Sequence, residues 1–250
     1  MATVATVRSL LALTSFPAFW SPAIAADLAV LVDGPARPAI VLVADEFKRS
    51  TGHRLTFVFA PGPALNKRII DGERADAVII PMRYVEELQL AAKAKVADAK
   101  SVGGAGFSLA VRKGGTVFDV SNVNELRSSL LKADAVVFNN VGSGNYFATV
   151  IERLSLSQAI GEKIVRLGPS EVFDRVANSN AAEIAVGTTP LVLEDNRLQS
   201  LGELPPEFQS RLELFAVPLS ASSDRGATDA LIAYLTTQDT KRRLAAAGLK

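Results

Sequence analysis

Five short stretches of this 250-residue chain, 33–37, 60–65, 81–84, 139–146 and 187–190, hold residues able to grip a small anion. Each is short and rich in Gly, Pro, Ser, Thr or Asn, and all but 60–65 carry charged or hydroxyl side chains. The pattern is clearest at 138–154, FNNVGSGNYFATVIERL. An apolar run stops at two asparagines, passes through Gly142, Ser143 and Gly144, and enters a segment with Phe147, Val150, Ile151 and Leu154 at helical spacing. A strand that hands over to a helix through small residues leaves bare N–H groups at the helix start, which suit a negative ligand. A tight turn that needs only glycine explains the same residues.

The candidate ligand-binding residues come from these stretches. Arg37 and Arg83 offer a guanidinium fork that matches the two oxygens of a carboxylate, or they are solvated surface arginines. Gly34, Gly62, Ala64 and Gly144 would contribute backbone amides, and Ser143 and Asn145 side-chain donors. Tyr146 is a lid, a donor or a core ring. Thr188 and Thr189 follow a strand end as donors or as a helix cap. Asp33 is the one acid of the set, and it caps the next helix, pairs with Arg37 four residues on, or faces a ligand.

Other chemistries are poorly served. There is no cysteine, which removes disulfides, thiolate metal sites and cysteine nucleophiles. The lone histidine, His53, follows Thr51-Gly52 at a helix exit and reads as a turn residue, so no zinc site is expected. No nucleophile elbow, phosphate loop or dinucleotide fingerprint is present, and GGAG at 103–106 precedes a strand instead of following one. No catalytic residue, metal or cofactor is assigned.

The elements that carry these stretches alternate between two periods. Strands are expected at 26–32, 54–60, 76–81, 106–112, the run before Asn139, 162–167, 182–187 and 211–217. Helices are expected at 37–50, with Ile40, Val43, Ala44 and Phe47 on one face, and at 64–72, 83–94, 122–133, 170–179, 224–238 and 239–248, besides the one after Gly144. Asn122 and Glu125 stand at capping-box spacing. Such alternation is the mark of an α/β fold with parallel sheets and helices on both faces. In these sheets ligands sit beyond the C-terminal strand ends, where all five stretches fall.

The first 25 residues read as an export signal, with Arg8, an apolar stretch from Leu10 to Trp20 interrupted by Pro17, and small residues at Ala23 and Ala25. Of 27 basic and 26 acidic residues, this segment removes one base, Arg8, and no acid, leaving 26 against 26. A near-neutral mature chain with no basic stripe is a poor nucleic-acid binder.

Taken in order, GPARPAIVLVADEFKRSTGHRLTFVF, GPALNKRIIDGERADAVIIP, GFSLAVRKG, GSGNYFATVIERL, AAEIAVG and DALIAYLTTQDTKRRLAAAGLK make the mature chain resemble the molybdate-binding periplasmic proteins of ABC transporters, a branch of the type II periplasmic binding proteins. The resemblance implies two lobes, each a mainly parallel sheet flanked by helices. The first would be 26–106 plus 218–250 and the second 107–217, with strands at 106–112 and 211–217 as a two-strand hinge. It implies a monomer in the periplasm that holds a small anionic solute between the lobes and passes it to an ABC permease in the inner membrane. Neutral donors suffice, since each helix start supplies about half a positive charge.

The chain departs from the family where hydroxyls are expected. The first loop places Val32 or Asp33 there, and the second places Gly62 followed by Pro63, which has no N–H to give. A carboxylate facing an oxyanion is unfavourable unless it is neutralised, protonated, or accepts a hydrogen bond from the ligand. A small organic acid therefore stands beside molybdate-like oxyanions as the expected ligand. A second possibility, which the resemblance also carries, is an isomerase of small unsaturated polycarboxylic acids, with Asp33 or Tyr146 as the proton acceptor.

Overall fold

The computed structural model describes residues 25–250, so the expected export signal lies outside them apart from its last residue. From the N-terminus the elements are β1 (Asp27–Asp33), α1 (Arg37–Thr51), β2 (Arg54–Ala60), α2 (Gly62–Ile70), β3 (Ala77–Pro81), α3 (Met82–Leu90), β4 (Lys100–Ala105) and β5 (Phe107–Arg112). They continue with α4 (Val123–Lys132), β6 (Ala135–Asn139), α5 (Gly142–Arg153), β7 (Ile164–Leu167), α6 (Glu171–Asn178), β8 (Glu183–Thr188), α7 (Thr189–Glu194) and β9 (Leu198–Glu203). The chain closes with β10 (Leu212–Pro218), α8 (Arg225–Leu235) and α9 (Gln238–Ala246).

Local sequence accounts for most of this. The spacing of Ile40, Val43 and Phe47 puts all three in the core, and α1 stops at Gly52. The Asn122 side chain accepts the amides of Asn124 and Glu125, as a helix cap should. Three elements have no counterpart in the sequence reading: β4, β9 and α7.

The strands form two five-stranded sheets, ordered β2-β1-β3-β10-β4 and β7-β6-β8-β5-β9. They repeat one plan. In each, three parallel strands carry the middle strand first in sequence, and a fourth strand runs against them. Alternate residues feed opposite faces: Val30 and Val32 of β1 join Phe47 and Leu231, while Leu31 joins Leu65 and Leu88. In the second sheet Val136 and Phe138 join Phe147, whereas Val137 joins Val172 and Val192. Burial on both faces is why these strands read as continuous apolar runs.

The chain passes between the sheets twice, at Gly106 and between Glu203 and Leu212. The strands expected to be the hinge are each full members of one sheet: β5 pairs with β8 and β9, and β10 with β3 and β4. The return to the first sheet thus comes before Leu212, ahead of the expected boundary at 218. Gln209 ties the two crossings together. Its Oε1 accepts the Phe107 amide at 2.9 Å and its Nε2 donates to the Phe107 carbonyl at 3.1 Å.

Candidate functional site

Parallel pairing sets the C-terminal ends of β1, β2 and β3 on one edge of the first sheet, with Asp33 level with Ala60. The ends of β6, β7 and β8 fall likewise on one edge of the second, with Asn139 level with Leu167. A cleft of about 610 Å³ lies between these edges and is lined from both sheets. The starts of α2, α3, α5 and α6 border it, each where a strand has just ended.

Of the residues expected to bind, Asp33, Gly34, Arg37, Gly62, Arg83, Ser143 and Thr188 line this cleft. Five others do not. Ala64 is exposed, and its amide is taken by the Pro61 carbonyl at 2.9 Å. The Gly144 amide donates to Asn139 Oδ1 at 3.0 Å, and any Cβ there would overlap the Asn139 carbonyl. Asn145 turns outward to Arg166. Tyr146 stacks on Phe107 at 4.7 Å and donates its hydroxyl to the Phe208 carbonyl at 2.5 Å, so it is a core ring. The Thr189 hydroxyl is paired with that of Ser108 at 2.8 Å.

Asp33 is only 6% exposed. Its carboxylate neither caps the turn that follows it nor pairs with Arg37. It reaches across to the start of α2, where Oδ1 accepts the Gly62 amide at 3.0 Å. Burial pushes its pKa from 3.8 up to about 6, while the amides of Gly62 and Gly34 and the Arg83 guanidinium pull the other way. The Gly62 amide at the start of α2 thus already holds a carboxylate, and that carboxylate is the protein's own side chain.

Arg83 begins α3 and lies over the Tyr84 ring, 4.6 Å from its centroid, with Nη2 donating to the Tyr84 hydroxyl at 2.9 Å. It also leans toward the second sheet, where a Cβ on Gly142 would sit 3.6 Å from Nη2. Among the described residues Arg83 makes no ion pair, whereas Arg37 pairs with Glu194 of α7, and Arg197 with Asp174 and Asp195. The Arg37–Glu194 pair spans the two sheets at the cleft rim.

On the far wall, Thr188 is 2% exposed and its Oγ1 has no hydrogen-bond partner among the described residues. Beside the cleft, Asn139 closes the loop before α5. Its Oδ1 takes the amides of Val141 and Gly144, and its Nδ2 donates to Ser143 Oγ at 2.6 Å. Phe59, Phe173 and Leu191 supply apolar wall. Sequence reasoning missed Tyr84, Asn139, Phe173 and the Arg197 cluster. Asn139 and Tyr84 could have been found from their places in two of the five stretches, but nothing local marks Phe173 or the Arg197 cluster.

The sequence pattern of the bacterial extracellular solute-binding proteins matches residues 28–250. Over 229 residues the chain is 25% identical to an aconitate isomerase from Pseudomonas sp., covering 89% of this chain and 87% of that one. Among solved structures, the Azotobacter vinelandii periplasmic molybdate-binding protein superposes with a TM-score of 0.75 at 14% identity, over 89% of this chain and 98% of that one. The sulfate-binding protein SubI from Mycobacterium tuberculosis H37Rv gives 0.67 at 16% identity, over 89% and 86%. At such identities these two likenesses speak for the two-lobed fold alone.

Proposed function

The chain belongs to the bacterial extracellular solute-binding proteins, and on that premise we propose that it captures a small organic acid between its two lobes in the periplasm and delivers it to an ABC permease. One observation carries the choice of an organic acid over a molybdate-like oxyanion. The Asp33 carboxylate already takes the Gly62 amide at the start of α2, where an oxyanion would otherwise be held, while Arg83 stands without a carboxylate partner among the described residues. A ligand carboxylate would take the Arg83 fork, the Thr188 hydroxyl and the first turn of α5. The apolar wall would take its carbon skeleton. Calorimetric titration of the mature chain with molybdate, tungstate, sulfate and a panel of mono-, di- and tricarboxylates tests this. Binding confined to carboxylates is expected; tight molybdate or sulfate binding, or none at all, contradicts it.

A second reading has an observation of its own. A carboxyl held at about 6 beside a ligand cleft is poised to take and return a proton near neutral pH, and one relative is an aconitate isomerase. On a bound unsaturated polycarboxylate, Asp33 would remove a proton from the carbon beside the double bond and return it at the other end of the allyl unit. Atoms and electrons balance with no cofactor. Tyr146, the other acceptor expected, is excluded from this role by its bond to Phe208. Incubation with cis- or trans-aconitate in deuterium oxide is expected to give the other isomer carrying deuterium, and Asp33→Asn to abolish it. Conversion undiminished in Asp33→Asn would remove Asp33 from the chemistry.

A further inference from the structure

If the cleft holds an organic acid, as proposed above, its two walls ask for different things. The first wall presents a buried acceptor. A carboxylate has about four lone-pair sites, and the backbone amides at Asp33 use only part of them. The second presents donors: the Thr188 hydroxyl, buried and unpartnered among the described residues, and Ser143, which lines the same cleft. Arg83 adds a cation from the α3 start.

We propose that the ligand is a small acid carrying a hydrogen-bond donor of its own, a hydroxy or amino acid, with Arg83 and Thr188 holding its carboxylate and Asp33 accepting from its hydroxyl or ammonium. Asp33 is then a specificity-determining residue. A plain carboxylic acid leaves the remaining lone pairs of this buried acceptor without a partner where water is expelled from the cleft, and that loss falls on binding. A bare oxyanion fares worse, because it also meets the like charge. Rejection of ligands that lack a donor is a stronger source of selectivity than any added apolar contact, since an unpaired polar group costs more than a missing methylene.

Matched acids isolate this one feature. Succinate, malate and aspartate share a skeleton and differ only in hydrogen, hydroxyl or ammonium at one carbon. Propionate, lactate and alanine repeat the comparison with one carboxylate, and tricarballylate and citrate with three. Calorimetry at pH 7.5 is expected to show, in the set that fits, a donor-bearing member about tenfold or more tighter than the plain one. Whichever of hydroxyl or ammonium wins identifies the donor. Asp33→Asn is expected to shrink the gap to about threefold or less, mainly by weakening the donor-bearing member. The wild-type comparison stands by itself should the variant fold poorly. Equal affinities within every set would overturn the role of Asp33 while leaving capture of an organic acid intact. Failure of all the acids to bind would overturn both.

Discussion

An ionised Asp33 must be held by its surroundings, and Gly62, Gly34 and Arg83 offset only part of the cost of its burial. Its folded pKa lies above the unfolded value, so its stabilising contribution is complete below about 3.8 and is lost as pH rises through about 6. Across that window the shift is worth about 3 kcal/mol. Asp33→Asn is therefore expected to melt above the wild type at pH 8 and level with it at pH 4; thermal scans across that range check it, and a variant less stable at pH 8 would contradict it. Thr188 offers the complementary case. Its hydroxyl is buried without a partner, so Thr188→Val should leave the empty protein as stable or slightly more stable, yet weaken ligand binding by about tenfold. Melting curves and calorimetry on the same preparation separate the two effects. These residues were only partly legible in advance. Asp33 stood out as an acid among donors, but its partner at Gly62 is 29 residues away, and only the pairing of β1 with β2 brings them together.

Helix starts that follow apolar strands were legible, because periodicity switches sharply there. The elements that escaped notice owe their state to neighbours. KSVGGA in β4 has no alternation, and it is a strand because β10 pairs with it on one side and the C-terminal tail passes on the other. Lys250 donates its amide to the Gly104 carbonyl at 3.0 Å, and a side chain at Gly103 would meet the Leu249 carbonyl at 2.9 Å. Those glycines mark a close backbone approach, not a phosphate loop. The bare amides expected at the start of α5 are likewise partly spoken for, since Asn139 takes Val141 and Gly144. Asn139→Ala should cost about 1–2 kcal/mol in denaturant unfolding, as the loss of a helix cap does; no change would show that water replaces it. The Arg37–Glu194 pair joins α1 to α7 with both side chains more than a third exposed, so it is worth at most about 1 kcal/mol of stability. Because it spans the two lobes at the cleft rim, its loss is expected to free them to separate. Glu194→Ala is expected to raise the radius of gyration of the empty protein in small-angle scattering while leaving its melting temperature within a degree or two.

Both lobes are built on the same strand plan, and the chain that joins them crosses twice near Gly106 and Gln209. In this arrangement one lobe presents an acceptor and a cation to the cleft, and the other presents donors. The alternation of elements made the fold class readable. The cleft geometry was not, because contacts such as Arg83 leaning toward Gly142 join residues from different lobes that no periodicity relates. A crystal structure of the mature chain with a bound acid tests the account most directly. The ligand is expected between the lobes, with a carboxylate on Arg83 and Thr188 and a hydroxyl or ammonium within about 3 Å of Asp33. A ligand bound elsewhere, or one whose carboxylate displaces Asp33 from the Gly62 amide, would contradict it.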